Sequence, residues 1–300
     1  MAVRTPLLPA YWLSEELGSE VRLKCENLQR AGAFKIRGAY NMLARLNDAD
    51  RRRGVITYSS GNHGQGVALA ARMFGTRAVV VMPTTAPQIK VDGARALGAE
   101  VVFEGTTSTD RYTRAAALAQ EHGYVMIPPF DHPDIIAGQG TVGLEILEDW
   151  PEVSAVLVPI GGGGLASGIA TAIKLNRPEC RVIGVEPENA DAMYQSVRAH
   201  HPVTIEARPT IADGLMPVRP GDLTYQHVAE FIDEIVRVSD DAIREATRSL
   251  LRASKLVVEF SGAATVAALQ SRRFDPAGAG VAAVLSGGNL DPRKLAELLT

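Results

Sequence analysis

The chain has 300 residues, 46% of them hydrophobic and 22% charged, so it can form one large or two modest globular domains. Its formal net charge of −3 argues against a general attraction to nucleic acid, and no apolar stretch is long enough to span a membrane. The N-terminus lacks the basic and apolar pattern of a secretory signal, so we expect a cytoplasmic protein without nucleic-acid or membrane partners.

Short apolar runs alternate with helical patterns along the whole chain. The predicted strands are Val21–Cys25, Val55–Tyr58, Ala78–Met82, Glu100–Phe103, Tyr124–Ile127, Val153–Ile160, Arg181–Glu186, Glu234–Val238 and Val281–Leu285. The predicted helices are Lys35–Leu46, Gly64–Phe74, Ala86–Leu97, Asp110–Glu121, Gln139–Asp149, Leu165–Leu175, Asp240–Leu251 and Gly262–Gln270. This alternation predicts an α/β fold with mainly parallel sheets. The runs from Val55 to Ile127 form a compact block, so we expect residues 52–131 to be a small domain inserted into a large one, residues 1–51 plus 132–300.

The first informative loop is ENLQRAGAFKIRG, residues 26–38. Lys35 stands between Phe34 and Ile36, where the loop enters a predicted helix. Apolar surroundings and the nearby cation of Arg37 would lower the pKa of the lysine amine and free it for Schiff-base chemistry. A solvated lysine in a first helical turn is the alternative, and the more common one, because most lysines are surface cations.

The second informative loop is YSSGNHGQG, residues 58–66, which follows a predicted strand and opens a helix. Its two hydroxyls, its amide and its glycines are typical of an anion-binding turn. Asn62 could instead cap the helix, and His63 could be a general base or a packed side chain.

The third loop follows the apolar run Val153–Ile160 and contains four glycines, Gly161–Gly164, before a helix of small residues. Glycines let backbone N–H groups approach an anion, and the positive end of the helix favours a phosphate there. Gly161, Gly163 and Ala166 also fit the G-x-G-x-x-A pattern of dinucleotide-binding proteins, so the pattern alone does not identify the phosphate.

A fourth loop ends the run VAAVLSGGNL, residues 281–290. Ser286 follows the predicted strand directly, so its hydroxyl would point into the cleft at the carboxyl end of a parallel sheet. A serine that stabilises the turn is the alternative.

Taken together, these loops resemble one family, the fold-type-II pyridoxal-5′-phosphate enzymes, in the branch of serine/threonine dehydratases and serine racemases. The matching segments cover nearly the whole chain in family order: KCENLQRAGAFKIRGA, SSGNHGQG, VMPTTAP, IAGQGTVGLEIL, VPIGGGGLASGIA, VIGVEPENA, TIADGL and VLSGGN. The resemblance implies a two-domain, tryptophan synthase β-like α/β fold with helices on both faces of mainly parallel sheets. It also implies pyridoxal phosphate as cofactor and a homodimer.

The resemblance implies a role for each loop. Lys35 would hold the cofactor as a Schiff base and move the Cα proton, with Ser60 on the opposite face as the second acid/base of racemases. The cofactor would be bound by Phe34 and Lys35, by Asn62 at the ring hydroxyl, by Gly161, Gly162, Gly163 and Gly164 at the phosphate, by Gly214, and by Ser286 at the pyridine nitrogen. The substrate carboxylate would be taken by the loop of Ser59, Ser60, Gly61, Asn62 and His63.

The resemblance also raises a metal site, because some members hold a divalent cation such as Mg²⁺, Mn²⁺ or Ca²⁺. The corresponding ligands here would be Glu186 and the carbonyl of Ala190. A second carboxylate is absent, because its position is occupied by Ala192. Hard cations prefer several oxygen ligands, so this loss weakens the predicted site.

The function implied by the resemblance is the elimination of water from 3-hydroxy amino acids of the L-threonine and L-serine type, which yields a 2-keto acid and ammonia. A neutral Ser286 would leave the ring a weak electron sink and favour β-elimination over transamination. Alternatives on the same scaffold are a serine or aspartate racemase and a 3-hydroxyaspartate dehydratase, in which Arg111 would bind the second carboxylate. A dinucleotide-binding dehydrogenase and a non-catalytic cofactor-binding protein are further alternatives.

Overall fold

The computed structural model describes residues 1–59, 61–86 and 88–298. The strands are β1 Leu7–Pro9, β2 Val21–Cys25, β3 Val55–Tyr58, β4 Ala78–Met82, β5 Glu100–Phe103, β6 Val125–Met126, β7 Ala155–Pro159, β8 Arg181–Pro187, β9 Glu234–Val238 and β10 Val281–Leu285. The helices are α1 Tyr11–Leu17, α2 Lys35–Arg45, α3 Asp48–Arg53, α4 Asn62–Phe74, α5 Gln88–Ala96, α6 Ser108–His122, α7 Pro133–Asp149, α8 Gly164–Asn176, α9 Ala192–Ala199, α10 Asp222–Phe231, α11 Asp240–Ser249, α12 Phe260–Gln270 and α13 Pro292–Glu297. Short 3₁₀ turns cover Glu26–Leu28, Arg30–Gly32 and Asp213–Leu215, and a π-helical turn, Leu250–Ser254, follows α11.

Two sheets lie within the described residues. The larger has the strand order β1-β2-β10-β7-β8-β9 and is parallel except for β1, which pairs antiparallel with β2. The smaller has the order β5-β4-β3-β6 and is parallel throughout. The carboxyl ends of β3, β7 and β10 lead into the loops that begin with Ser59, Gly161 and Ser286, which is where α/β sheets bind ligands.

Both faces of the larger sheet are covered by helices, because successive side chains of a strand point to opposite faces. Ala155 and Leu157 of β7 pack with α1, α11 and α12, whereas Val156 and Val158 pack with α7, α8 and α10. Strands buried on both faces require near-continuous apolar sequence, as β7 and β10 have. The predicted α/β fold with mainly parallel sheets and helices on both faces is confirmed.

The smaller sheet is also covered on both faces. Val80 of β4 packs with α2, α4 and α5, whereas Val79 and Val81 pack with α6. Helix α2 therefore joins the core of the smaller sheet, while its first residue, Lys35, follows a segment that is bonded to the end of β10. This packing places Lys35 at the junction of the two sheets.

Several elements differ from their predicted bounds. Helix α7 begins at Pro133 and not at Gln139, because proline suits the first helical position and the His132 side chain accepts a hydrogen bond from the Asp134 N–H. Strand β1 and helices α1, α3, α9, α10 and α13 were not predicted. The two cysteines are buried and free. In the described ranges, no helix is both long enough and apolar enough to cross a membrane.

Candidate active site

The segment before Lys35 is anchored to the end of β10. Ala33 forms an isolated bridge with Gly287, and the Phe34 N–H donates to the carbonyl oxygen of Ser286 at 3.1 Å. These backbone contacts bring Lys35 and Ser286 together, although they are 251 positions apart in the chain of 300 residues.

The amine of Lys35 is partly buried. Its Nζ donates to the carbonyl oxygen of Pro129 at 2.7 Å and lies 5.0 Å from the centre of the Phe34 ring. Burial lowers the pKa of Lys35 to about 8, and the negative charge of Glu259 acts in the opposite direction. A substantial fraction of the amine is therefore neutral near physiological pH, as attack on a carbonyl requires.

The four-glycine turn is packed too closely to accept side chains. A β carbon at Gly164 would lie 2.9 Å from Phe130, and one at Gly163 would lie 2.6 Å from Met193. Gly163 also has a φ of 96°, which favours glycine. The amides of Gly162, Gly163 and Gly164 donate to no acceptor among the described residues, so the N-terminus of α8 offers free N–H groups to an anion.

The loop after β3 opens helix α4 in a similar way. The Ser59 hydroxyl accepts from the Gly61 N–H at 3.2 Å, and no described residue accepts from the amides of Asn62 and His63. The predicted acid/base Ser60 lies outside the described residues. The His63 ring is buried with Nε2 3.0 Å from the carbonyl oxygen of Ile127, and burial and the nearby Lys35 lower its pKa to about 3. The ring is therefore neutral and packed, which leaves the backbone amide of His63 available to an anion.

Asn62 lies in a chain of side-chain hydrogen bonds. Its Nδ2 donates to Glu259 Oε1 at 2.6 Å, and its Oδ1 accepts from Asn289 Nδ2 at 2.8 Å. Neither Glu259 nor Asn289 was predicted as a site residue. Glu259 is 7% exposed, and burial together with the charge of Asp213 raises its pKa to about 7.

Ser286 and Gly214 line the same region. Ser286 is 4% exposed, and its hydroxyl makes no hydrogen bond to any described residue. The Gly214 N–H donates to the Ser261 hydroxyl at 2.8 Å. A β carbon added at Gly161 would lie only 3.1 Å from the Gly214 carbonyl oxygen. The segment of Gly214 and the four-glycine turn are therefore in close contact.

These features define a class of site: a partly neutral lysine amine, a helix N-terminus with free amides, and a buried hydroxyl, the last two without partners in the part of the chain that the structure describes. Such residues fit a phosphorylated aldehyde cofactor, whose aldehyde needs the amine and whose phosphate needs the amides. The family model for pyridoxal-phosphate dependent enzymes matches residues 2–287, and the chain belongs to this family.

Individual relatives agree with this assignment. The chain is 47% identical over 296 residues to the L-threonine ammonia-lyase of Thermotoga maritima, covering 99% of this chain and 74% of the relative. It is 43% identical over 298 residues to an L-threo-3-hydroxyaspartate ammonia-lyase of a Pseudomonas species, covering 99% of this chain and 93% of the relative. The structure of maize serine racemase matches with a TM-score of 0.95 and 37% identity, covering 99% of this chain and 92% of that one. The predicted family is confirmed, which favours pyridoxal phosphate over a dinucleotide at the glycine turn.

The residues at the predicted metal site do not fit a divalent cation. The carboxylate of Glu186 is fully buried and accepts from the amides of Met193 and Tyr194 at 3.0 and 2.7 Å, so it caps helix α9. Burial raises the pKa of Glu186 to about 8. Ala192 supplies only a methyl group, and no group of three His, Cys, Asp or Glu suited to a metal occurs among the described residues.

The charges around Glu186 are also satisfied within the protein. Asp191, one residue before α9, is paired with Arg237 at 2.9 Å and accepts from Gln195 at 2.6 Å. Arg237 thus neutralises the Asp191 carboxylate, and a metal cation would have to displace Arg237 to bind there.

We expect chelation to have no effect on this protein. Treatment with EDTA, followed by Mg²⁺, Mn²⁺ or Ca²⁺, should leave the melting temperature unchanged within about 1 °C, because only a cation that binds the folded state stabilises it. The variant Ala192→Asp restores the missing carboxylate and should gain a Mn²⁺-dependent rise in melting temperature, whereas the matched Ala192→Asn should gain less. A drop in wild-type melting temperature with EDTA that Mg²⁺ reverses would contradict this prediction.

Proposed function

We propose that the protein removes water from 3-hydroxy amino acids of the L-threonine and L-serine type and releases a 2-keto acid and ammonia. The observation that carries the proposal is the Lys35 amine with its lowered pKa, which donates to Pro129 beside the glycine turn and follows a residue bonded to the Ser286 backbone. The names of the most similar relatives, which include an L-threonine ammonia-lyase, support it.

We propose that Lys35 would hold pyridoxal phosphate through its amine, that the amides of Gly161–Gly164 would bind the phosphate, that Asn62 would bind the ring hydroxyl, and that Phe34 and Gly214 would contact the ring. When bound, the cofactor withdraws electrons from the substrate Cα. Ser286, as a neutral partner of the ring nitrogen, makes this withdrawal weaker than a carboxylate would.

The other steps belong to residues of the chain. The amides of the Ser59–His63 loop, at the N-terminus of α4, would bind the substrate carboxylate and fix its orientation. Once the substrate amine has taken its place, the freed Lys35 Nζ would take the Cα proton, since its lowered pKa makes it a base near neutral pH. The electron pair of the broken Cα–H bond would form a Cα–Cβ double bond as the Cβ–O bond breaks, and the β-hydroxyl would leave as water with the proton that Lys35 Nζ returns to it. The released enamine hydrolyses to the 2-keto acid and ammonia.

Keto-acid release by the cofactor-loaded protein tests this proposal directly. The panel is L-serine, L-threonine, D-serine and the 3-hydroxyaspartates, with chiral analysis of the remaining substrate. Release from L-threonine or L-serine without formation of the enantiomer supports a dehydratase. Absence of keto acid from every substrate contradicts the proposal.

A second candidate is a dehydratase of 3-hydroxyaspartate, which one relative's name and one side chain favour. Arg111 is half-buried, and its Nε has no hydrogen-bond partner among the described residues, although its other nitrogens contact Thr106 and Ser108. A free arginine donor would suit a second substrate carboxylate. Activity on hydroxyaspartate alone would select this candidate, and accumulation of an enantiomer would select the racemase, in which Ser60 acts as the second acid/base.

The organisation of the protein is also part of the proposal. We propose a small domain, residues 52–131, inserted into a large domain of residues 1–51 and 132–300, and a cytoplasmic homodimer. The separate four-stranded and six-stranded sheets support the division. Sedimentation equilibrium of the purified protein tests the dimer, since a single species of about 32 kDa would contradict it.

A further inference from the structure

Glu259 joins the two sheets at the candidate site. It lies directly before α12, and its N–H donates to the Gly287 carbonyl oxygen at 3.0 Å, which places it beside the end of β10. Its Oε1 accepts from Asn62 Nδ2 at 2.6 Å. Asn62 is the first residue of α4, the helix that follows β3 of the smaller sheet. A residue of the larger-sheet side thus holds the side chain of a residue on the smaller-sheet side.

This contact allows only one orientation of the Asn62 amide. Asn289 Nδ2 donates to Asn62 Oδ1 at 2.8 Å and to the Ala31 carbonyl oxygen at 2.8 Å, so Asn289 presents donors. Rotating the Asn62 amide by 180° would place its oxygen against the Glu259 oxygen and its NH₂ group against the Asn289 NH₂ group. Both contacts would be repulsive, whereas the observed orientation leaves the second Nδ2 hydrogen of Asn62 for another acceptor.

We propose that Glu259 is a positioning residue of the cofactor site, which fixes the Asn62 amide as a donor and sets the protonation of Lys35 through its negative charge. The proposal extends the proposed function, but it concerns cofactor binding and the lysine, and not the choice of substrate.

The charges around Glu259 support the second part of this role. Glu259 faces Lys35 of α2, Lys90 of α5 and Asp213 of the 3₁₀ turn, and Lys90 and Asp213 are paired with each other at 2.9 Å. The paired Lys90 and Asp213 largely offset each other, so Lys35 is the nearby cation without a carboxylate partner within 4 Å among the described residues. Ionised Glu259 stabilises the ammonium form of Lys35, and removal of its charge should lower the lysine pKa.

Two substitutions at position 259 distinguish the effect of Glu259 on the orientation of the Asn62 amide from the effect of its charge on Lys35. Glu259→Gln keeps the length of the side chain but removes its charge and accepts either orientation of the Asn62 amide. Glu259→Asp keeps the charge but loses the reach to Asn62. Lys90→Gln/Asp213→Asn is the control, since this double variant removes the neighbouring ion pair, leaves the net charge unchanged and does not alter the contact with Asn62.

The first readout is the labelling of Lys35 in the cofactor-free proteins by an aldehyde and cyanoborohydride, followed across pH by peptide mass spectrometry. The wild-type midpoint is expected near pH 8. Glu259→Gln should lower the midpoint by about one pH unit, since an opposite charge at close range shifts a pKa by one unit or more. Glu259→Asp and the double variant Lys90→Gln/Asp213→Asn should leave the midpoint near the wild-type value.

The second readout is the equilibrium affinity for pyridoxal phosphate, measured by absorbance during titration of the same proteins. Both Glu259 variants should weaken binding by about tenfold. Glu259→Asp loses the hydrogen bond to Asn62, and Glu259→Gln leaves the Asn62 amide free to rotate. The double variant Lys90→Gln/Asp213→Asn should bind within about twofold of wild type. Wild-type affinity and labelling midpoint in both Glu259 variants would overturn the proposal. Neither readout requires turnover, so an inactive wild-type protein would contradict the proposed function without deciding this inference.

Discussion

Replacing Lys35 with alanine should lower keto-acid release by at least about 10⁴-fold, because the variant would lose both the amine proposed to attach the cofactor and the base proposed to act at the substrate Cα. Alanine at the first position of α2 is a good helix former, so the fold should be retained. Borohydride treatment should fix the cofactor on the wild-type peptide that contains residue 35 and on no peptide of the variant. The measurements are keto-acid release and peptide mass mapping.

The control for this prediction is Lys294→Ala, which removes an exposed lysine of α13 and should keep wild-type turnover. The pH dependence provides a second check on the same residue. Since the pKa of Lys35 is lowered to about 8, the neutral amine becomes dominant above that pH, and cofactor uptake by the cofactor-free protein should rise up to about pH 8 and then level off. A Lys35→Ala variant with near wild-type keto-acid release would contradict the assignment of the catalytic lysine.

Much of the fold follows from local sequence. The bounds of β2, β3, β4, β5, β9 and β10 agree with their predictions, because a short apolar run between polar or glycine residues specifies a buried strand without reference to the rest of the chain. Strand β1 is different: it is three residues long and ends at Pro9, and its pairing with β2 supplies the evidence that it is a strand. No periodicity in three residues could have predicted it.

Some residues of the candidate site could likewise be predicted from local sequence, and others could not. Its glycine-rich loops were visible in the sequence, because runs of glycine between a strand and a helix are rarely neutral for stability. Glu259 was not, because its partner Asn62 is 197 positions away and a single glutamate before an apolar helix has no distinctive pattern. The close packing of Gly164 on Phe130 likewise depends on two segments that only the fold brings together. The roles of the individual site residues remain predictions that the experiments above would test.

Arg37 should be essential for stability as well as for the position of Lys35. It lies two residues after Lys35 on α2, is 3% exposed at its side chain, and donates from Nε and Nη2 to Glu26 and from Nη1 to Glu145. Glu26 is fully buried, and Glu145 is also paired with the buried Lys24 at 2.7 Å. These contacts tie the start of α2 to β2 and α7.

Arg37→Ala should destabilise the protein by about 3–5 kcal/mol, because it leaves the Glu26 carboxylate buried with the Thr5 hydroxyl as its remaining side-chain donor. For a chain of this size, the melting temperature should fall by about 10 °C, as measured by thermal unfolding of the cofactor-free protein. The variant Arg51→Ala loses a partly exposed ion pair of α3 and should shift the melting temperature little. A further loss of cofactor affinity is expected, because the loosened helix carries Lys35.

The double variant Glu26→Leu/Arg37→Met shows whether Arg37→Ala destabilises the protein through an unpaired buried charge or through lost packing. Replacing both partners of a buried ion pair with apolar side chains of similar size is often neutral, whereas removing one partner is costly. The double variant should therefore be more stable than Arg37→Ala, even though it lacks both charges. If Arg37→Ala were as stable as Arg51→Ala, the buried charges around α2 would not hold Lys35 in place, and its position would have to depend on the backbone contacts of Ala33 and Phe34 alone.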